Sequence, residues 1–266
     1  VMKTFSEDFN KFVNLVDSGE NFSFARFSDG EVFVMQNKTL VLAENHFNLD
    51  GRIVGGRYIA EEQKEFVPEK HSFYRDKLIE AFQFKKKNYF KGVSCRCCIG
   101  EADFKYQLDL HGGDDDSLTW SNLFINANYP SFVKKMLPSL KGKKIVLVCN
   151  KIADLEILKT DLELNIVKDF RVGSNCMVND YGLIEEMKEW ISKNDIEDHV
   201  FLFSAASLSN YLSHQLFEFN DKNTYMDIGS TLNPVMKMEG WKASRDYLIS
   251  FWMGRPTTYG NQVCIW

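Results

Sequence analysis

Two carboxylates flank a single glycine at Asp29-Gly30-Glu31, directly after the strand-like run Phe22-Ser23-Phe24-Ala25-Arg26-Phe27. Glycine has no Cβ, so the backbone can bend tightly there and the two acids can converge on one hard cation. Mg²⁺ or Mn²⁺ is commonly held by one or two carboxylates, with water and substrate phosphates completing its shell. A simpler role competes: Asp29 as a helix N-cap, with Glu31 as a favourable acid in the first turn. On spacing alone the capping role is the stronger.

Other polar positions fall at strand ends. Ser204-Ala205 separates an apolar strand, residues 199–203, from a helix at 208–219. Small residues there would let the helix N-terminus meet a phosphate; a plain cap with Ser207 as N-cap competes evenly. Lys151, after the strand at 144–149, could neutralise diphosphate charge, against simple solvent exposure. Asp227, ahead of Gly229-Ser230, could accept a proton or a sugar hydroxyl, against capping of the turn. Trp120 to Tyr129 combines aromatics with amides, which suits sugar recognition or a packed helix. Arg57 and Arg96 are candidate phosphate forks, with surface ion pairs as the default. Asp114-Asp115-Asp116 is a rival metal site, weakened because consecutive side chains diverge. His71, His111, His199 and His214 lack ligand spacing.

The elements that must position these residues alternate. A helix over residues 5–16 presents Phe5, Phe9, Phe12, Val13 and Val16 on one face. Ser18-Gly19-Glu20-Asn21 ends it. After the acid pair a helix begins near Val32. Residues 72–84 read as a helix, 92–99 as a strand, 103–110 as a helix, 111–116 as a loop, and 121–137 as helical pieces broken at Pro130. Beyond that come strands at 144–149, 164–170, 199–203 and 224–228, with helices at 153–158, 181–192 and 208–219. Unalternated apolar strands between helices indicate a mostly parallel sheet covered on both faces. Its strand C-termini share the edge where ligands of open α/β sheets bind.

Composition narrows the class. The 266 residues carry 32 Lys and Arg against 37 Asp and Glu, a net charge of −5. No basic excess favours a nucleic-acid partner. The short run Lys85-Lys86-Lys87 reads as a solvated helix end. No stretch approaches the roughly 20 apolar residues of a membrane span, and no signal-peptide core opens the chain. No linker divides it, so a single α/β domain over 1–266 is expected. Of six cysteines, only Cys95, Cys97 and Cys98 cluster. Alternation places Cys95 and Cys97 on one buried strand face, and no second cluster at ligand spacing exists. Reduced thiols without metal, in a reducing, cytoplasmic compartment, are the expectation.

The segment Phe24-Ala25-Arg26-Phe27-Ser28-Asp29-Gly30-Glu31 resembles the Arg-Phe-Gly-Asp-Gly-Glu signature of the GT-D type bacterial glycosyltransferases, once catalogued as a domain of unknown function. Ser28 stands where the signature has glycine. The resemblance implies a Rossmann-like fold of GT-D type and metal-dependent sugar transfer. The donor would be a nucleotide-sugar, a UDP-sugar, and the acceptor a hydroxyl of a glycan or glycoprotein. It further implies that Asp29 and Glu31 hold Mn²⁺ or Mg²⁺ with the donor diphosphate, inside a nucleotide-binding motif that includes Arg26 and Gly30. Lys151, Ser204, Ala205, Gly229 and Ser230 would line the same edge, with Asp227 the nominated base. A homo-oligomer is compatible with this reading. The alternatives are an S-adenosylmethionine methyltransferase, opposed by the missing glycine-rich first loop, and a non-catalytic nucleotide-sugar-binding module.

Overall fold

The computed structural model describes residues 3–55, 58–238 and 246–256; Arg57 and Cys264 lie outside them. In chain order the first third comprises α1 (Phe5–Ser18), β1 (Ser23–Phe27), α2 (Asp29–Met35), β2 (Leu40–Leu42), β3 (His46–Leu49), β4 (Arg52–Gly55), β5 (Lys64–Phe66) and α3 (Pro68–Gln83). Next come β6 (Tyr89–Val93), α4 (Arg96–His111), β7 (Leu118–Trp120), α5 (Tyr129–Ser131), α6 (Leu137–Leu140), β8 (Ile145–Asn150) and α7 (Glu156–Thr160). The last third holds β9 (Ile166–Val172), α8 (Cys176–Asn179), α9 (Leu183–Lys193), β10 (Val200–Phe203), α10 (Leu208–Phe219), β11 (Thr224–Asp227) and α11 (Asp246–Trp252).

Among the described residues, seven strands form one sheet in the order β7-β6-β1-β11-β10-β8-β9. Every neighbouring pair in it is parallel. The chain leaves β1 towards β6 on one side, while β11, its last strand, fills the other side. Strand order reverses there, which opens a crevice beyond the carboxyl ends. The fold is therefore Rossmann-like α/β, as expected.

Helices cover both faces. On α1, Phe5, Phe9, Phe12 and Val16 are buried, the i, i+4, i+7 spacing of one helix face. Phe12 sits against Phe22, Phe24, Phe90 and Phe124, with ring centroids 4.9–6.5 Å apart. Burying each such ring contributes about 1.5–3 kcal/mol. Thr4 and Glu7 close a capping box at the helix start, and left-handed Gly19 (φ 73°) ends it. The alternate residues of β1 point the other way. Ser23 Oγ donates to Ser213 O on α10 at 2.7 Å, and Phe27 packs edge-on against Phe82 of α3 at 4.7 Å.

Several boundaries differ from the sequence reading. The sixth strand ends at Val93, and Cys95 is the N-cap of α4. The cysteines thus occupy a helix start, not a strand face. Tyr89 and Phe90 carry the buried strand instead, and Gly92 lets it close on its neighbour, since a Cβ there would meet Ser121 Cα at 2.8 Å. Helix α4 begins seven residues early because Gly100, left-handed at φ 81°, is absorbed as a kink. Segment 121–137 is helical from Asn126 onward, but without the expected break at Pro130, which sits in the first turn of α5 where its missing N–H costs nothing. Residues 40–66 form a second, antiparallel sheet in the order β4-β3-β2-β5, which the sequence reading missed. No described helix is long and apolar enough to cross a membrane.

Candidate functional site

The acid motif folds by local rules. Ser28 is the N-cap of α2, with extended backbone, so Asp29 and Glu31 occupy the first turn. The cap is one residue earlier than expected. Gly30 has no left-handed backbone, and a Cβ on it would make only ordinary contacts with Leu40 and Lys64. The tight bend expected of Gly30 is not used.

The two acids differ in surroundings. Glu31 is buried, at 7% exposure. One oxygen accepts the Ser28 N–H at 3.0 Å; the other accepts the Ser207 hydroxyl at 2.6 Å. Ser207 is the N-cap of α10, so the positive end of that helix faces the Glu31 carboxylate. Asp29 is exposed and accepts the Gly30 N–H at 2.9 Å. It does not line the cavity described next.

That cavity holds about 290 Å³ and opens at the carboxyl edge of the parallel sheet. Its floor includes Arg26, Ser28, Glu31, Ser204, Ala205 and Asp227. Gly229 and Ser230 close one side, and Leu40, Leu42 and residues 61–66 of the small sheet form the roof. The size is at the lower end of small-molecule sites. Of the ten residues expected at this strand edge (Arg26, Asp29, Gly30, Glu31, Lys151, Ser204, Ala205, Asp227, Gly229 and Ser230), Asp29, Gly30 and Lys151 stand outside the lining. Lys151 is exposed beyond β8, its backbone N–H on Val172 O at 2.8 Å.

Arg26 and Asp227 form the buried polar centre. The Asp227 carboxylate accepts the Arg26 backbone N–H at 3.2 Å and the Gly229 N–H at 3.0 Å. Its oxygen lies 3.9 Å from the Arg26 guanidinium. The Arg26 Nε donates to Ser121 O, and Asn210 Nδ2 donates to Arg26 O at 2.8 Å. Burial pushes Asp227 up to about 7; Arg26 pulls the other way, and the Glu31 charge adds to the rise. Gly229 is required here. Its φ is +52°, and a Cβ would come within 1.9 Å of Arg26 Nη1.

The expected phosphate cradle at Ser204-Ala205 takes a different form. The Leu208, Ser209 and Asn210 N–H groups donate back to Ala205, Ala206 and Ser207 carbonyls at 3.0–3.2 Å. The Ala205 N–H donates to Ser209 Oγ at 3.1 Å. The first turn of α10 is tightened on itself, so those donors are consumed. Ser204 Oγ donates to Asn233 at 3.3 Å.

The small sheet brings residues that sequence reasoning missed. Lys64 Nζ lies 3.8 Å from where a Gly30 Cβ would stand, directly over the acid motif. No ion pair of Lys64 occurs among the described residues. Two asparagines tie the roof down: Asn150 Nδ2 donates to Glu61 O at 3.2 Å, and Asn175 accepts the Glu65 N–H at 3.2 Å. Asn175 itself is left-handed (φ 48°). Nothing in the separation of these residues along the chain announces their meeting.

The remaining candidates have structural work. Arg96 pairs with Glu101 at 2.7 Å and stacks on Phe104. Burial pushes Asp115 up, but hydrogen bonds from Ser117 and Lys85 and the charge of His111 hold it at about 2. Trp120 Nε1 donates to Lys3 O and Tyr129 Oη to Thr231 O; from this segment Ser121 O accepts the Arg26 Nε–H at the site. His71, His111 and His199 bond nearby backbone, and His214 packs on Phe84.

The sequence matches no family model and no curated protein at significance. Three solved structures do resemble the fold. A selenomethionine structure of domain of unknown function 1792 aligns with TM-score 0.54 at 14% identity, covering 93% of this chain and 81% of its own. A second, described as having a distinct glycosyltransferase fold, gives 0.53 and 14% over the same shares. A third, described as a new glycosyltransferase from Streptococcus sanguinis, gives 0.56 and 13%, covering 96% and 85%. The chain has the fold of domain of unknown function 1792. That is the GT-D type fold which the Arg26 to Glu31 motif also resembles, so motif and architecture agree.

Proposed function

We propose that this protein is a glycosyltransferase that uses a nucleotide-sugar donor, a UDP-sugar, with Mn²⁺ or Mg²⁺. The observation that carries the reading is the placement of Glu31, Arg26 and Asp227 together in one cavity at the strand-order reversal of a GT-D type fold. The acceptor would be a hydroxyl of a glycan or glycoconjugate.

The donor set fits a hard cation. Glu31 and Asp29 offer only carboxylate oxygens, and each Glu31 oxygen accepts one hydrogen bond, leaving a lone pair. Glu31 would hold the ion from inside the cavity, and Asp29, in the same turn but outside the lining, is proposed as its second carboxylate. The ion would offset diphosphate charge as the bond from sugar to nucleotide breaks. Lys64 supplies a further positive charge above that turn. Arg26, fixed by Ser121, keeps the cavity floor from carrying two uncompensated carboxylates. Asp227, pushed up to about 7 by burial, suits proton acceptance from a hydroxyl near neutral pH. The roof of β2 and β5 would shield a bound donor from part of the solvent.

Incubation with UDP-sugars and Mn²⁺, with released UDP quantified, tests the reading. Metal-dependent UDP release is the expected result. Binding of UDP with no release from any donor, with or without acceptor glycans, would mark a binding module instead.

A further inference from the structure

Three thiols meet beside the cavity, at the end of the strand next to β1. Cys95 caps α4 with extended backbone (φ −79°, ψ 159°). Its sulfur lies 3.1 Å from Cys97 Sγ and 3.2 Å from Cys98 Sγ, and those two are 4.0 Å apart. Left-handed Gly100 separates this first turn from the body of the helix. Among the described residues, no other three His, Cys, Asp or Glu ligand atoms lie within 4.8 Å of one another. The metal-free expectation rested on the lack of a second cluster and on a strand face, and the strand ends before Cys95.

The geometry matches a metal better than a disulfide. Zn–S bonds of about 2.3 Å in a tetrahedral set put sulfurs about 3.8 Å apart; the Cys97–Cys98 pair at 4.0 Å is close to that spacing, and the two pairs at Cys95, 3.1 and 3.2 Å, would open slightly around an ion. A disulfide would join two sulfurs and strand the third. Cys95 is buried and anchors the set, while Cys97 and Cys98 are exposed and give an ion its entry. Asn122 Nδ2 lies 4.0 Å from Cys95 Sγ, a donor behind the anchoring ligand.

We propose that Cys95, Cys97 and Cys98 form a three-thiolate site for a thiophilic cation of the zinc class. Thiolates select such ions over Mg²⁺ and Mn²⁺, so this site is separate from the carboxylate pair. It would act as a staple. Ser94, the preceding residue, donates its hydroxyl to Phe27 O at 3.1 Å, and Gln107 brackets the Ser94 backbone at 2.9 and 3.1 Å. A metal there would fix the β6–α4 turn against the strand end that carries Ser28 and Asp29.

The test uses the reduced, chelator-stripped full chain titrated with Cd²⁺, which reports thiolate ligation by ultraviolet charge-transfer absorption. One equivalent should saturate the band, Zn²⁺ should displace it, and excess Mg²⁺ should not. The double variant Cys97→Ser, Cys98→Ser should lose the band. Cys149→Ser, remote from the cluster, and Glu31→Gln should keep it. No band in the wild-type protein, or an undiminished band in the double variant, overturns the proposal.

Discussion

Glu31 joins two helix starts: it closes on Ser28 at the head of α2 and takes the Ser207 hydroxyl at the head of α10. If it and Asp29 also hold the donor's cation, their charge matters more than their shape. Asp29→Asn and Glu31→Gln should each lower donor turnover by at least about 100-fold, the scale of losing a principal electrostatic stabiliser. Melting should change little, because the loss of a capping interaction costs about 1 kcal/mol. Near-wild-type turnover in both variants would reduce the acids to capping residues. Asp227 makes a separate prediction. Its carboxyl is pushed up to about 7 in the folded protein, against about 3.9 in the unfolded chain. The folded state therefore holds the extra proton between about pH 4 and 7, and this contribution to stability falls as pH rises through that window, then levels off. Urea unfolding at about pH 4.5, 6 and 7.5 should show the wild-type protein losing stability relative to Asp227→Asn as pH rises. A difference that stays level would mean that Asp227 ionises like an ordinary carboxylate.

The small antiparallel sheet turns an open strand edge into a cavity. Its hold on the main sheet runs through Asn150 and left-handed Asn175. Asn175→Ala should cost about 1–2 kcal/mol through the left-handed backbone and the loss of the bond to Glu65. Hydrogen exchange at residues 64–66 should quicken while β1 and β10 keep their protection; equal quickening of all three would mean the sheets open as one unit. Lys64→Glu should weaken UDP binding about tenfold or more by replacing attraction with repulsion, without lowering melting. The parallel core was legible because apolar runs such as residues 145–149 repeat between amphipathic helices. The roof was not. Strands of three or four residues such as β2 and β5 carry too few alternations to register. The cysteine turn misled because Cys-x-Cys reads as strand alternation until the cap at Cys95 is seen. Glu31, named from its motif and the family resemblance, and Asp227, Ser204 and Ala205, named from strand ends, line one cavity. Lys64 and Asn175 were missed because only tertiary packing brings them there.

At the scale of the whole molecule, the parallel sheet supplies a rigid edge, strand-order reversal opens it, and the small sheet closes it over Arg26, Glu31 and Asp227. A nucleotide diphosphate is proposed to bind there through a cation held by the carboxylates. Thermal unfolding with UDP decides it, since a ligand that binds only the folded state raises the melting point by mass action. At about 100 times its dissociation constant, UDP with Mn²⁺ should raise the melting temperature by roughly 5 °C or more. EDTA should abolish the shift, and so should Glu31→Gln. A UDP shift that EDTA leaves intact, or one that persists in Glu31→Gln, would contradict a metal-bridged donor site at this edge.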